Sequence, residues 1–180
     1  MKTKSKIITI PNIMSLFRIC LIPCIVWRYR EEKKYRTAGS LLILSGITDI
    51  ADGFIARKFN MISDVGKVLD PIADKLTQAV IMICLTVRFP MMIVPLALMA
   101  VKEAFMGITG YMIIRKKDIL IGANWHGKTA TALLYAMMII HMFYADIPPS
   151  ASAISIIVCT AMIGISFVLY AVRNIKLLKR

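Results

Sequence analysis

Four aspartates carry the chemistry that this sequence offers. They lie in the stretch from Thr48 to Lys75 as Asp49, Asp52, Asp70 and Asp74. Asp49 and Asp52 are three residues apart and Asp70 and Asp74 four apart, so on helices each pair shares one face. The connection between the two helices, about residues 58–65, is short, and short connections make antiparallel neighbours. One pair then stands near the end of a helix, the other near the start of the next, and the two face each other across the hairpin. Like charges so placed repel: two unit charges 4 Å apart cost about 4 kcal/mol at an effective dielectric near 20. Protonation relieves this, and so do divalent cations. Two ions of charge +2 balance four carboxylates, and hard oxygen ligands suit Mg²⁺ or Mn²⁺. A pair of such ions clamps the attacking and leaving oxygens of a phosphoryl displacement.

The neighbours of the aspartates fit the same chemistry. Gly53 follows Asp52, and Gly66 precedes Asp70 by four residues. A glycine inside a helix costs about 1 kcal/mol relative to alanine, which close approach of a bulky ligand would explain. Ala56 is small and one turn beyond Asp52, and Arg57 offers a planar fork for a pyrophosphate. The plainer reading makes the aspartates structural partners of Lys67 and Lys75. Four carboxylates exceed what two lysines can pair, and ionisable groups inside a membrane are functional by default.

The elements that must hold these residues are membrane helices. The chain is 58% hydrophobic with a mean hydropathy of +0.72, and its apolar residues come in blocks near the roughly 20 residues that cross a bilayer. The expected fold is an all-α integral membrane protein, a single domain over residues 1–180. It has an interfacial segment at 4–12 and six transmembrane helices at about 13–27, 37–57, 66–87, 91–114, 127–144 and 151–172. Pro90 marks a break, Asp146-Ile147-Pro148-Pro149 a turn, and Arg18 must snorkel or point into the bundle. The net charge of +13 lies mostly between the apolar blocks, where it meets anionic head groups, so nucleic acid is not an expected partner. Counting positive charge puts both termini on the cytoplasmic side, although Arg28, Arg30, Lys33, Lys34 and Arg36 then fall outside. No small-residue cleavage site follows the first apolar block, which is expected to be retained. Cys20, Cys24, Cys84 and Cys159 all sit in apolar segments and read as small apolar residues rather than a disulfide framework.

The run Asp49-x-x-Asp52-Gly53-x-x-Ala56-Arg57, eight further residues, then Gly66-x-x-x-Asp70-x-x-x-Asp74 resembles the signature of the CDP-alcohol phosphatidyltransferase family at every fixed position. Ile10-Pro11-Asn12 with Arg18 and Pro23, and Leu69 to Lys75, resemble the branch that makes phosphatidylglycerolphosphate. Gly127-Lys128-Thr129 is similar to that branch's Gly-Lys-x-Lys-Thr with its first lysine missing, and Lys102-Glu103 stands where Arg-Glu is usual. The resemblance implies a six-helix homodimer in a bacterial cell membrane, with a polar cavity open to the cytoplasm. Asp49, Asp52, Asp70 and Asp74 would hold two Mg²⁺ or Mn²⁺ ions, and Asp74 would also take the proton of the acceptor hydroxyl. Asp52, Gly53, Ala56, Arg57 and Gly66 would hold the CDP group of CDP-diacylglycerol. Glycerol 3-phosphate is the first choice of acceptor, with Arg115 and Lys128 as contacts for its phosphate. Phosphatidylglycerol, giving cardiolipin, is the nearest rival, ahead of inositol phosphate or serine.

Other classes fit less well. A divalent-cation transporter would use intramembrane carboxylates but has no need of Gly53, Gly66 and Arg57 at these spacings, and it more often shows a repeat. A lipid scaffold without catalysis has no need of the four aspartates. Lys102 and Glu103 read as a buried pair or as support for the site, His126 and His141 as structural, and Trp27 and Trp125 as interface anchors.

Overall fold

The structure, a computed structural model, describes residues 9–31, 34–59, 66–117, 124–144 and 146–179. The described residues form α1 (Ile10–Arg30), α2 (Tyr35–Lys58), α3 (Gly66–Arg88), a 3-10 turn (Pro90–Met92), α4 (Ile93–Lys117), α5 (Trp125–Phe143) and α6 (Pro149–Lys179), with no strand among them. They group into two compact units. One is Met1–Cys84 with Met142–Ala145, and the other is Leu85–His141 with Asp146–Arg180.

The boundaries follow local chemistry. Thr9 caps α1, its hydroxyl accepting from the Asn12 N–H at 3.4 Å, and Pro11 sits in the first turn, where no N–H is needed. The expected interfacial segment at 4–12 is corrected at its end, because Ile10, Pro11 and Asn12 belong to α1; residues 4–8 lie outside the described residues. Pro23 and Pro71 lie inside α1 and α3, and each leaves the carbonyl four residues earlier without its helical N–H. Between α3 and α4, Phe89 leaves the helix with φ −122° and ψ 82°, as a residue before proline tends to. Pro149 opens α6, which runs well past the apolar block to Lys179. Between α1 and α2, Glu31 accepts from Lys34 at 2.8 Å and Arg28 at 3.0 Å. The Lys34 and Arg28 bonds hold its carboxyl below the usual range.

Among the described residues six helices stand where six spans were expected, but four are long and apolar enough to cross a membrane: Ile10–Arg30, Tyr35–Ala56, Pro90–Lys116 and Pro149–Lys179. The other two are α3 and α5. The first carries Asp70, Asp74, Lys75 and Arg88, and the second carries His126, Lys128 and His141. These charged and polar side chains lower the hydropathy of both helices.

Large apolar side chains cover the exterior, and polar side chains share the interior with apolar ones such as Ile25, Leu42, Ile81 and Leu85. Ile50, Phe54, Val87, Ile108, Ile157 and Val168 are exposed, while Ser15, Arg18, Ser45, Thr77, Gln78, Ser166 and Asn174 are buried. In lipid there is no hydrophobic gain from pressing apolar helices together, so association rests on close packing and interhelical hydrogen bonds. In the first unit α1 packs on α2, burying a stripe of Asn12, Ser15, Arg18, Leu21, Ile25 and Tyr29. Gly39 of α2 lies so near Phe143 that an added Cβ would meet the ring at 2.7 Å.

In the second unit α4 packs on α6. Asn174 donates to the Thr109 hydroxyl at 2.7 Å, and Phe105 meets Phe167 edge-on. His141 is bonded to Ser152 at 2.9 Å and His126 to Ser166 at 3.1 Å, which gives both histidines structural partners. Gly127 approaches α6 closely: an added Cβ would stand 2.3 Å from the Tyr170 hydroxyl, which accepts from the Asn124 N–H at 2.9 Å. Gly127→Ala is therefore expected to destabilise the protein by about 1–3 kcal/mol, with partial recovery when Tyr170→Phe removes the hydroxyl. Thermal unfolding of the two variants checks this, and an unchanged midpoint for Gly127→Ala would refute it.

Candidate active site

The first unit gathers the expected aspartates around one side chain that the sequence reading left without a partner. Arg18 enters from α1 and is 1% exposed. Its Nη1 pairs with Asp49, and its Nη2 with Asp52 at 2.8 Å and Asp70 at 3.8 Å. Asp49 and Asp52 come from the last part of α2 and Asp70 from the start of α3, so one guanidinium joins three helices. Ser15, one turn before Arg18, donates its hydroxyl to Asp70 and is also 3.0 Å from the Pro11 carbonyl. The helical spacing puts Asn12, Ser15 and Arg18 in one polar line on α1.

The aspartates differ in surroundings. Asp52 is 3% exposed, whereas Asp49 is 43% and Asp70 38% exposed, so the cluster opens on one side. Asp74 lies one turn beyond Asp70, and the amide of buried Gln78 donates to both its oxygens, at 3.0 and 2.9 Å. Lys75 stands 4.0 Å from Asp74 and 3.4 Å from the Gln78 carbonyl oxygen. Asp49 lies within electrostatic reach of both Asp70 and Asp74, so all four carboxylates share one neighbourhood. The pairs do face each other across α2 and α3, as their spacing predicts.

Burying a guanidinium is costly unless its hydrogens are used. Among the described residues the Arg18 Nε has no hydrogen-bond partner, at a cost of about 1–3 kcal/mol. The arrangement thus favours charge neutralisation over complete hydrogen bonding. One guanidinium carries a single charge, against three carboxylates at its edge. Among the described residues no three His, Cys, Asp or Glu side chains converge closely enough to hold a metal ion; the point on which these carboxylates turn is taken by Arg18. The donors themselves, all carboxylate oxygens with surplus negative charge, have the chemistry that Mg²⁺ or Mn²⁺ requires.

Of the other expected residues, Gly53 and Ala56 are half-buried on α2, and Gly66 is buried at the start of α3. Arg57 is in the last turn of α2. Arg115, near the end of α4, and Lys128, in the first turn of α5, are exposed and belong to the second unit. Lys102 pairs with Glu103 at 3.1 Å. Three residues escaped the sequence reading as parts of the site: Ser15, Arg18 as the common counter-ion, and Gln78. An arginine in mid-span with a serine three residues before it, and a glutamine four after an aspartate, are the signals that point to them.

The described residues form a helical protein with an apolar exterior and a carboxylate cluster, the pattern of a membrane-associated protein with a polar site. Residues 8–172 match the CDP-alcohol phosphatidyltransferase family, and the chain belongs to that family. Among its relatives is a protein of Rickettsia bellii named CDP-diacylglycerol–glycerol-3-phosphate 3-phosphatidyltransferase. The two are 34% identical over 135 residues, which cover 73% of this chain and 74% of the relative. A Salmonella choleraesuis protein of the same name is 32% identical over 68% of this chain and 70% of its own length. A human protein named cardiolipin synthase (CMP-forming) is 36% identical over 62% of this chain, but the match spans only 36% of that relative.

Proposed function

We propose that this chain transfers the phosphatidyl group of CDP-diacylglycerol to glycerol 3-phosphate, giving phosphatidylglycerolphosphate and CMP. The observation that carries the reading is the grouping of Asp49, Asp52 and Asp70 on one buried cation with Asp74 beside them. The names of the Rickettsia and Salmonella relatives support the choice of acceptor.

In this reading the four aspartates hold two Mg²⁺ or Mn²⁺ ions, which supply charge neutralisation at the transferring phosphoryl group. Asp52, Gly53, Ala56, Arg57 and Gly66 bind the CDP group. Asp74, its orientation held by Gln78, takes the proton as the acceptor hydroxyl oxygen bonds to the β-phosphorus. The bond from that phosphorus to the CMP oxygen breaks, and CMP leaves. Arg115 and Lys128 hold the acceptor phosphate. The enzyme works as a homodimer with six spans in a bacterial cell membrane, its site open to the cytoplasm.

Purified protein with CDP-diacylglycerol and a panel of alcohols, read by CMP release, tests the reading. Turnover with glycerol 3-phosphate is the expected result. Turnover with phosphatidylglycerol instead makes the chain a cardiolipin synthase, an alternative that the human relative supports. No CMP release with any alcohol rejects both.

Lys128→Ala is a sharper test of the acceptor. The N–H groups of Gly127 and Lys128 are both directed at the Asn124 carbonyl, at 3.1 and 3.3 Å, so attraction for a phosphate rests on the exposed ammonium. A charge-assisted hydrogen bond is worth about 1.5–3 kcal/mol. The KM for glycerol 3-phosphate is expected to rise roughly tenfold or more, with the KM for CDP-diacylglycerol little changed. Wild-type kinetics would leave Lys128 a topology residue and make Arg115 the better candidate.

A further inference from the structure

We propose that Arg18 competes with divalent cations for the aspartate cluster, holding the carboxylates together in the metal-free protein and opposing the ions that replace it. The inference rests on reading the aspartates as metal ligands. Its own observation is geometric: a guanidinium 1% exposed on α1, outside the aspartate segment, in ion-pair range of three of the four carboxylates on α2 and α3.

Two effects follow from that position. With no metal bound, Asp49, Asp52 and Asp70 would repel one another, and Asp52 would be a buried charge without compensation. Arg18 supplies the attraction that keeps the ends of α2 and α3 against α1, aided by the Ser15 hydroxyl on Asp70. When an ion binds, it must draw away carboxylates already engaged by Arg18, and it meets a positive charge a few ångströms distant. Both effects weaken ion binding. The Arg18 Nε, without a hydrogen-bond partner among the described residues, fits a side chain placed for charge balance and not for a complete set of hydrogen bonds. The site thereby stays assembled between metal-bound states, at the expense of intrinsic metal affinity.

The test uses the full chain in lipid nanodiscs, with Mn²⁺ as the probe. Free Mn²⁺ is counted by electron paramagnetic resonance, and unfolding is followed by temperature in excess chelator and in Mn²⁺. Arg18→Met keeps the length and removes the charge. It is expected to bind Mn²⁺ roughly tenfold tighter or more, to unfold at a lower temperature than the wild type in chelator, and to gain more from added Mn²⁺. Arg18→Lys keeps the charge and is expected to stay near the wild-type affinity. If Arg18→Met cannot be kept folded in chelator, it is expected to be recovered folded when prepared in Mn²⁺; misfolding in both conditions overturns the proposal. Mn²⁺ binding by Arg18→Met that is equal to or weaker than that of the wild type overturns it, as does a lysine variant that tightens binding as much as methionine. A wild type that binds no Mn²⁺ overturns the metal reading of the aspartates along with it. A wild type that binds Mn²⁺ while Arg18→Met binds it no tighter removes only the role of Arg18.

Discussion

Asp74→Asn is expected to lower kcat by roughly 10²–10⁴-fold, the range lost when a positioned general base is removed, while the thermal midpoint changes little. Asparagine keeps the shape of the side chain and can still accept one hydrogen bond from Gln78, but it can neither take a proton nor carry a charge. Asp74 lies outside the set of carboxylates paired with Arg18, so its neutralisation strands no buried cation. Asp52→Asn makes the contrast. It removes the negative charge that faces a buried guanidinium at 2.8 Å and is expected to cost stability as well as activity, since a buried cation that loses its counter-charge costs up to about 3–5 kcal/mol. Single-turnover CMP release with the unfolding midpoint of each variant separates the two effects. An Asp74→Asn enzyme within roughly tenfold of the wild-type rate would place the base elsewhere.

That contrast marks how far the sequence carries. The helical spacing of Asp49 with Asp52 and of Asp70 with Asp74 is a local property, readable because the helix repeat is fixed. Their meeting across α2 and α3 follows from a short connection. The partner of Arg18 is not local. An arginine amid the apolar residues of α1 must either snorkel or point inward, and only the packing of α1 on α2 decides that it reaches Asp49 and Asp52. Lys75, which with Lys67 belonged to the purely structural reading of the aspartates, does stand near Asp74, but the deeper pairing belongs to a residue more than thirty positions earlier in the chain than Asp49. The ends of the helices show a similar division. Hydropathy stops the sixth block at about 172, where cations begin, whereas backbone bonding carries α6 to Lys179, because a helix once started extends at little cost. Pro90 and Pro149, by contrast, act through their own covalent structure, and the boundaries they signal are close to those observed.

Stripping divalent cations is expected to reduce phosphatidyl transfer to the background rate, with recovery on adding Mg²⁺ or Mn²⁺. The reason lies in the charge of the site. Three carboxylates already face one guanidinium, and a CDP pyrophosphate would bring further negative charge to the same opening. Without compensating cations the substrate would be repelled from the residues meant to bind it, and Arg18 is already committed to the aspartates. Ions of small radius that accept hard oxygen ligands relieve both the carboxylates and the phosphates. Ca²⁺ is expected to restore less activity, because it prefers longer bonds and more ligands. CMP release in excess chelator, followed by back-titration with each ion, provides the measurement. Full activity in excess chelator would remove the two-ion site from the mechanism.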